Sequence, residues 1–131
     1  MNDIQFQFLS LGEVLELHEM QLEAFGGSSG IRDSGLLESA IAMPSASFGG
    51  EFVHKSIFEM AAAYAFHIAD NQPFVDGNKR AALFSALMFL EMHGYRIDDP
   101  SERLYEAMIQ MAEKRLKKEG LAKLLEELIV A

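Results

Sequence analysis

The sequence predicts a single all-α domain, and three observations carry that prediction. KSIFEMAAAYAFHIAD (55–70) and AALFSALMFLEMHGY (81–95) are apolar nearly all round, the pattern of helices buried inside a bundle. The polar decapeptide NQPFVDGNKR (71–80) separates them and is short enough to make the pair an αα-hairpin. The other apolar residues recur mostly at helical spacing, and 131 residues, half of them apolar, suit one compact core. No internal repeat, low-complexity tract or linker divides positions 1–131.

In chain order, IQFQFL (4–9) alternates weakly and reads as a short strand or an extended arm. Ser10 with Glu13 fits a capping box. The helix it opens carries Leu11, Val14, Leu15, His18, Leu22 and Phe25 at helical spacing and stops at Gly26–Gly27. SSGIRD leads to a short helix at about 34–43, ended by Met43–Pro44 because the residue before proline avoids the helical conformation. SASFGGEFVH (45–54) has small residues, a Gly-Gly turn, then Phe52 and Val53, the composition of a hairpin or flap. The two buried helices follow, the second ending at Gly94. Asp98–Asp99–Pro100–Ser101 starts a helix at about 101–119, with Leu104, Met108, Met111 and Leu116 facing in, and Gly120 breaks it. Leu121, Leu124, Leu125, Leu128 and Ile129 give a last amphipathic helix.

Composition narrows the function. No cysteine is present, so disulfides and thiolate metal sites are excluded and a reducing, cytoplasmic location is expected. Met1 to Phe8 has neither a basic start nor a long apolar run, and the apolar stretches break before membrane-spanning length, so neither a signal segment nor a membrane anchor is expected. Acidic residues outnumber basic ones by 20 to 11, a net charge of −9, which disfavours direct nucleic-acid binding because no basic excess neutralises phosphates. A small basic cluster still suits a small phosphate ligand, and Lys79–Arg80 is the candidate. KRLKK (114–118), the other cationic run, reads as solvating a helix end where positive charge suits the dipole.

The loop 71–77 opens the second buried helix, and helix N-termini offer unpaired N–H groups and a positive dipole end to anions. Gly77 permits close backbone approach, and Asn78 suits a cap that also touches a ligand. Lys79 and Arg80 lie in the first turn, where cations oppose the dipole; a phosphate bound there removes the conflict. Asp76, a hard anionic group beside those phosphate oxygens, is then a natural magnesium ligand. The same string also reads as turn chemistry alone, with Pro-Phe as a plug, Asp as a cap and Gly for the bend.

PFVDGNKR followed by an apolar helix ending in FLEMHGY, with FGGSSGIRDSGLLESAIAMPSASFGG upstream, resembles the signature of the Fic family. It is most similar to the death-on-curing (Doc) branch, the toxins of toxin–antitoxin pairs. The resemblance implies a small helical bundle with a flap over the active-site loop. It implies transfer of part of a nucleotide to a protein hydroxyl: AMP in many members, a phosphate from ATP to elongation factor Tu in the Doc branch, with an antitoxin helix as neutralising partner. Pro73 and Phe74 then match structural anchors, Asp76 the residue that handles Mg2+, Gly77 and Asn78 the anion-cradling turn, and Arg80 the cation that holds phosphate. Lys79 stands where AMP-transferring members usually have glycine, which favours phosphoryl transfer. The flap at about 46–54 would align a target peptide by strand addition.

One position departs from that pattern. The family's histidine, the general base that takes the proton of the attacking hydroxyl, falls on Gln72. An imidazole titrates near neutral pH, whereas an amide only orients a hydroxyl through a hydrogen bond. Strong impairment is the expectation, with a non-catalytic nucleotide- or antitoxin-binding protein as the alternative and an AMP transferase as the second alternative. His67, five residues upstream in the buried helix, reads as a hydrogen-bonded core histidine, and His54, on the flap, is the less favoured candidate to approach the cleft. His18 and His93 fit helix surfaces or ends, no histidine pair has metal-ligand spacing, and the eight methionines read as core filler.

Overall fold

A computed structural model describes residues 5–130. Six helices account for most of it: α1 (Leu11–Phe25), α2 (Ser34–Ala42), α3 (Ile57–Asn71), α4 (Asn78–Met92), α5 (Arg103–Ala112) and α6 (Lys118–Glu127). Two small antiparallel pairs complete it, β1 (Ser47–Phe48) with β2 (Glu51–Phe52) and β3 (Arg96–Ile97) with β4 (Ile129–Val130). The fold is the all-α bundle with a short hairpin that the sequence predicts.

Side-chain oxygens set the starts of the first three helices. Ser10 Oγ accepts the Glu13 N–H while Glu13 returns a bond to the Ser10 N–H, and Asp33 and Ser56 cap α2 and α3 in the same sense. At the centre, α3 and α4 pack along each other. Their alanines, Ala61, Ala62, Ala63 and Ala65 on one side and Ala81, Ala82 and Ala86 on the other, are fully buried. Small side chains let the two backbones approach, and Tyr64, Phe89, Met60, Ile68 and Leu90 fill the space around them. The Tyr64 hydroxyl accepts the Leu9 N–H at 2.7 Å, and burial pushes its pKa up to about 12.

Residues 5–10 are an extended arm rather than a strand; Ile4, at the start of that stretch, lies outside the described residues. Phe8 stacks on Phe89, and Phe6 meets Phe52 edge to face, so the arm joins the hairpin to α4. The hairpin turns through Gly49 and Gly50, both at positive φ, the requirement of a two-residue type I′ turn.

The C-terminal third departs from the sequence reading. Helix α5 stops at Ala112, well before 119, and Gly120 lies inside α6 instead of breaking a helix. A Cβ on Gly120 would stand 2.5 Å from Leu116 Cδ1, so a larger residue there would make the Leu116 side chain shift. Residues 114–117 of the basic run are therefore the connection into α6, in which Lys114 reaches Asp70 and Arg115 reaches Glu113, and Lys118 is the first residue of that helix. Ile129 belongs to β4, paired with Ile97, and not to the last helix. Methionines also divide: Met60, Met108 and Met111 are core, whereas Met20 and Met92 are exposed.

Lys118 ties the hairpin foot to the bundle. Its ammonium lies 3.2 Å from His54 Nε2 and 3.0 Å from His67 Nε2. An ammonium has only donors, so both rings must accept through Nε2 and carry their proton on Nδ1. Burial first, and the Lys118 charge second, lower both pKa values, that of His67 to about 4, against the opposing pull of Glu59 and Glu119 on His54 and of Asp70 on His67. The unfolded chain thus takes up protons below about pH 6.5 that the folded chain refuses, so stability falls as the pH drops through that window. Urea melts at about pH 7 and about pH 5 should show this decline, and Lys118→Met, which removes the repelling charge, should make it shallower. An equally steep decline in the variant would rule out the role given to Lys118.

Candidate active site

Helix α3 ends where Pro73 removes the next backbone donor and denies residue 72 the right-handed helical conformation. Gln72 takes the left-handed region instead, with φ 47° and ψ 58°, a conformation that costs a residue with a Cβ roughly 1–2 kcal/mol. Arg32 offsets that cost from the α1–α2 loop. Its Nε donates to the Gln72 carbonyl at 2.7 Å and its Nη2 to the Asn71 carbonyl at 2.8 Å, satisfying helix-end acceptors with a cation where the dipole favours one. The Gln72 side chain itself is exposed.

Phe74 anchors the loop. It is buried, and the His18 ring stacks on it face to face, with centroids 3.7 Å apart and planes 7° apart. Asn78 clasps its backbone from below: Oδ1 accepts the Phe74 N–H at 2.9 Å and Nδ2 donates to the Phe74 carbonyl at 3.0 Å. On the outer side the α1–α2 loop pairs with it as a short ribbon. Ile31 bridges Phe74, the Arg32 and Asp33 N–H groups donate to the Pro73 carbonyl, and the Val75 N–H donates to Gly30.

Asp76 is fixed from three directions. Oδ1 accepts the Gly77 N–H at 2.8 Å and Oδ2 the Ser28 N–H at 3.2 Å, while its carbonyl lies 2.7 Å from His18 Nε2. A Cβ on Gly27 would come within 2.9 Å of Oδ2, so the 26–28 turn can rest on the carboxylate only with glycine there. Each carboxylate oxygen keeps lone-pair capacity beyond its single N–H bond, and the group is exposed. One such carboxylate beside substrate phosphates is the donor set Mg2+ takes, so the residues present fit that ion.

Gly77, at φ 77°, is the N-cap of α4, and no side-chain oxygen caps this helix. The expectation that Asn78 caps it gives way to the clasp on Phe74: Asn78 is the first helical residue and shapes the loop through its side chain. The next two residues, Lys79 and Arg80, are exposed, and neither has a carboxylate partner among the described residues. Gln72 caps the end of α3, whereas Asp76, Gly77, Asn78, Lys79 and Arg80 lie together at the start of α4. Its terminal N–H groups and two cations meet in a chain of net charge −9.

The other histidines do not supply the missing imidazole. His54 and His67 are held on Lys118, and His93 ends α4, with Nδ1 on the Phe89 carbonyl and Nε2 accepting the Gln7 N–H. His18 is the residue the sequence reading misplaced: it is 3% exposed and works beneath the loop, not on a helix surface. Its signal was present, since it sits in register with the apolar stripe of α1. Arg32 and Ser28 left no comparable signal, because their contacts cross 40 and 48 residues of chain.

The sequence profile of the Fic/DOC family matches residues 8–90, which take in α1 through most of α4 and the whole loop. Toxin Doc of Mycolicibacterium smegmatis is 37% identical over 91 residues, covering 68% of this chain and 70% of that protein. Protein kinase doc of Escherichia phage P1 is 35% identical over 94 residues, covering 72% of this chain and 74% of its own. With the profile spanning more than half of the sequence and two relatives matched across two thirds of it, the chain belongs to the Fic/DOC family.

Proposed function

We propose that this protein is a Doc-type phosphoryl transferase that passes the γ-phosphate of ATP to a hydroxyl of a protein target, with its rate held down by Gln72. The observation that carries the reading is the pair of uncompensated cations, Lys79 and Arg80, at a helix start that no side chain caps. Their position opposes the helix dipole and becomes favourable once phosphate oxygens accept the α4 N–H groups. The name of the phage relative, a protein kinase, supports phosphoryl over AMP transfer. A translation factor such as elongation factor Tu is the target class, and an antitoxin is the partner, as the toxin named among the relatives suggests. The open edges of the β1–β2 hairpin, with Phe48 86% exposed at its turn, support alignment of a target segment by strand addition.

In this reading the target hydroxyl oxygen forms a bond to Pγ, the bond from Pγ to the β,γ-bridging oxygen breaks, and ADP leaves. Arg80 and Lys79 hold the phosphate charge and the α4 N–H groups orient it; Asp76 would hold a Mg2+, which would supply further neutralisation of phosphate charge. Gln72 accepts a hydrogen bond from the hydroxyl and does not take its proton, which passes to solvent or to phosphate oxygen. The amide at 72 equally supports a second reading, a nucleotide- or antitoxin-binding protein without transfer.

Two measurements decide between these readings. Mg-ATP at about 100 times its dissociation constant should stabilise the chain by about 2.7 kcal/mol, a thermal shift of several degrees, and Arg80→Ala should abolish that shift. Gln72→His should raise transfer of γ-labelled phosphate by roughly 10²- to 10⁴-fold. A folded variant that binds nucleotide with no gain in transfer would establish the binding-only reading, and label arriving from the α-position would establish AMP transfer.

A further inference from the structure

Phe25 ends α1 and is 57% exposed. The Arg80 guanidinium lies 4.5 Å from its ring centroid. We propose that Phe25 is a positioning residue that holds Arg80 ready for phosphate. This inference rests on the nucleotide reading above and assigns a new role within it.

The geometry gives the reason. A planar guanidinium that lies against an aromatic ring uses its face for the contact and keeps its N–H donors, which lie in its plane, at the edge. An ion pair with a carboxylate would consume those same donors. In a chain with 20 acidic residues Arg80 has no carboxylate partner among the described residues, so the ring fixes the group and leaves its edge open. An unrestrained arginine loses rotamer freedom on binding, and a stacked one has already lost part of it. Phe25 also immediately precedes Gly26 and Gly27, and the turn they begin rests on Asp76 through Gly27 and Ser28, so one short segment places both the cation and the carboxylate of the site.

Phe25 is exposed, so its replacement leaves the core intact, and the test is a titration of the full chain with Mg-ATP. An arginine ordered in advance avoids the cost of immobilising one side chain on binding, about a two- to ten-fold change in affinity. Phe25→Leu, which keeps apolar bulk without a π face, should weaken binding by that factor, whereas Phe25→Tyr should match the unaltered chain. Equal losses in both variants would show a packing role and overturn the proposal. Tighter binding by Phe25→Leu would show that Arg80 must leave the ring to reach phosphate, and overturns it too. The underlying reading fails separately: if Arg80→Ala binds Mg-ATP as well as the unaltered chain, or that chain binds none, the phosphate site is wrong and this role falls with it.

Discussion

The burial of Phe74 is the constraint on which the site depends. A six-residue connection rich in polar groups has no reason of its own to keep one shape. Here one aromatic ring is driven out of water, and the polar groups are arranged around the result. His18 covers the ring, Asn78 closes the backbone on either side of it, and the α1–α2 loop runs alongside. The Asn78 and loop contacts bond backbone groups that burial would otherwise leave unsatisfied. The polar decapeptide sits between the two most apolar segments because the apolar residues on both sides hold it in place where water still reaches one face.

Rigidity matters here because the chemistry proposed for this loop is positional. Phosphoryl transfer asks a protein to place charge and orient oxygens, more than to supply reactive groups. Backbone donors at the α4 start, a carboxylate tied by two N–H groups and an arginine laid on a ring are all fixed before any substrate arrives. The acidic surplus elsewhere sharpens the contrast, since Lys79 and Arg80 are left out of the ion pairs that Lys55, Arg103, Lys114 and Arg115 form.

Much of this was legible in the sequence wherever the determinants are local. Helical spacing, the Ser10–Glu13 capping box and the Gly49–Gly50 turn all act within a few residues, and α1 to α4 appear with nearly the bounds they imply. Legibility failed where distant partners decide. Gly120 looks like a helix breaker until Leu116 is seen against it. Ile97 and Ile129 pair across the C-terminal region with no turn between them to announce a strand. His18 fitted its apolar stripe, yet the reason for an imidazole there is a ring and a carbonyl more than fifty residues away. The polar loop itself was identifiable, but not the use of Asn78, whose amide serves the fold as a clasp.

The left-handed turn at Gln72 has a consequence for what else this position accepts. Arg32 holds its carbonyl from outside and Pro73 ahead disfavours the right-handed alternative, and neither contact involves the amide it carries. Exchanging that amide for an imidazole therefore asks nothing new of the chain's path. A β-branched residue would resist the same angles, and glycine would relax them. Residue 72 is a socket whose shape is independent of its plug, and reactivity at this site is thereby separable from folding.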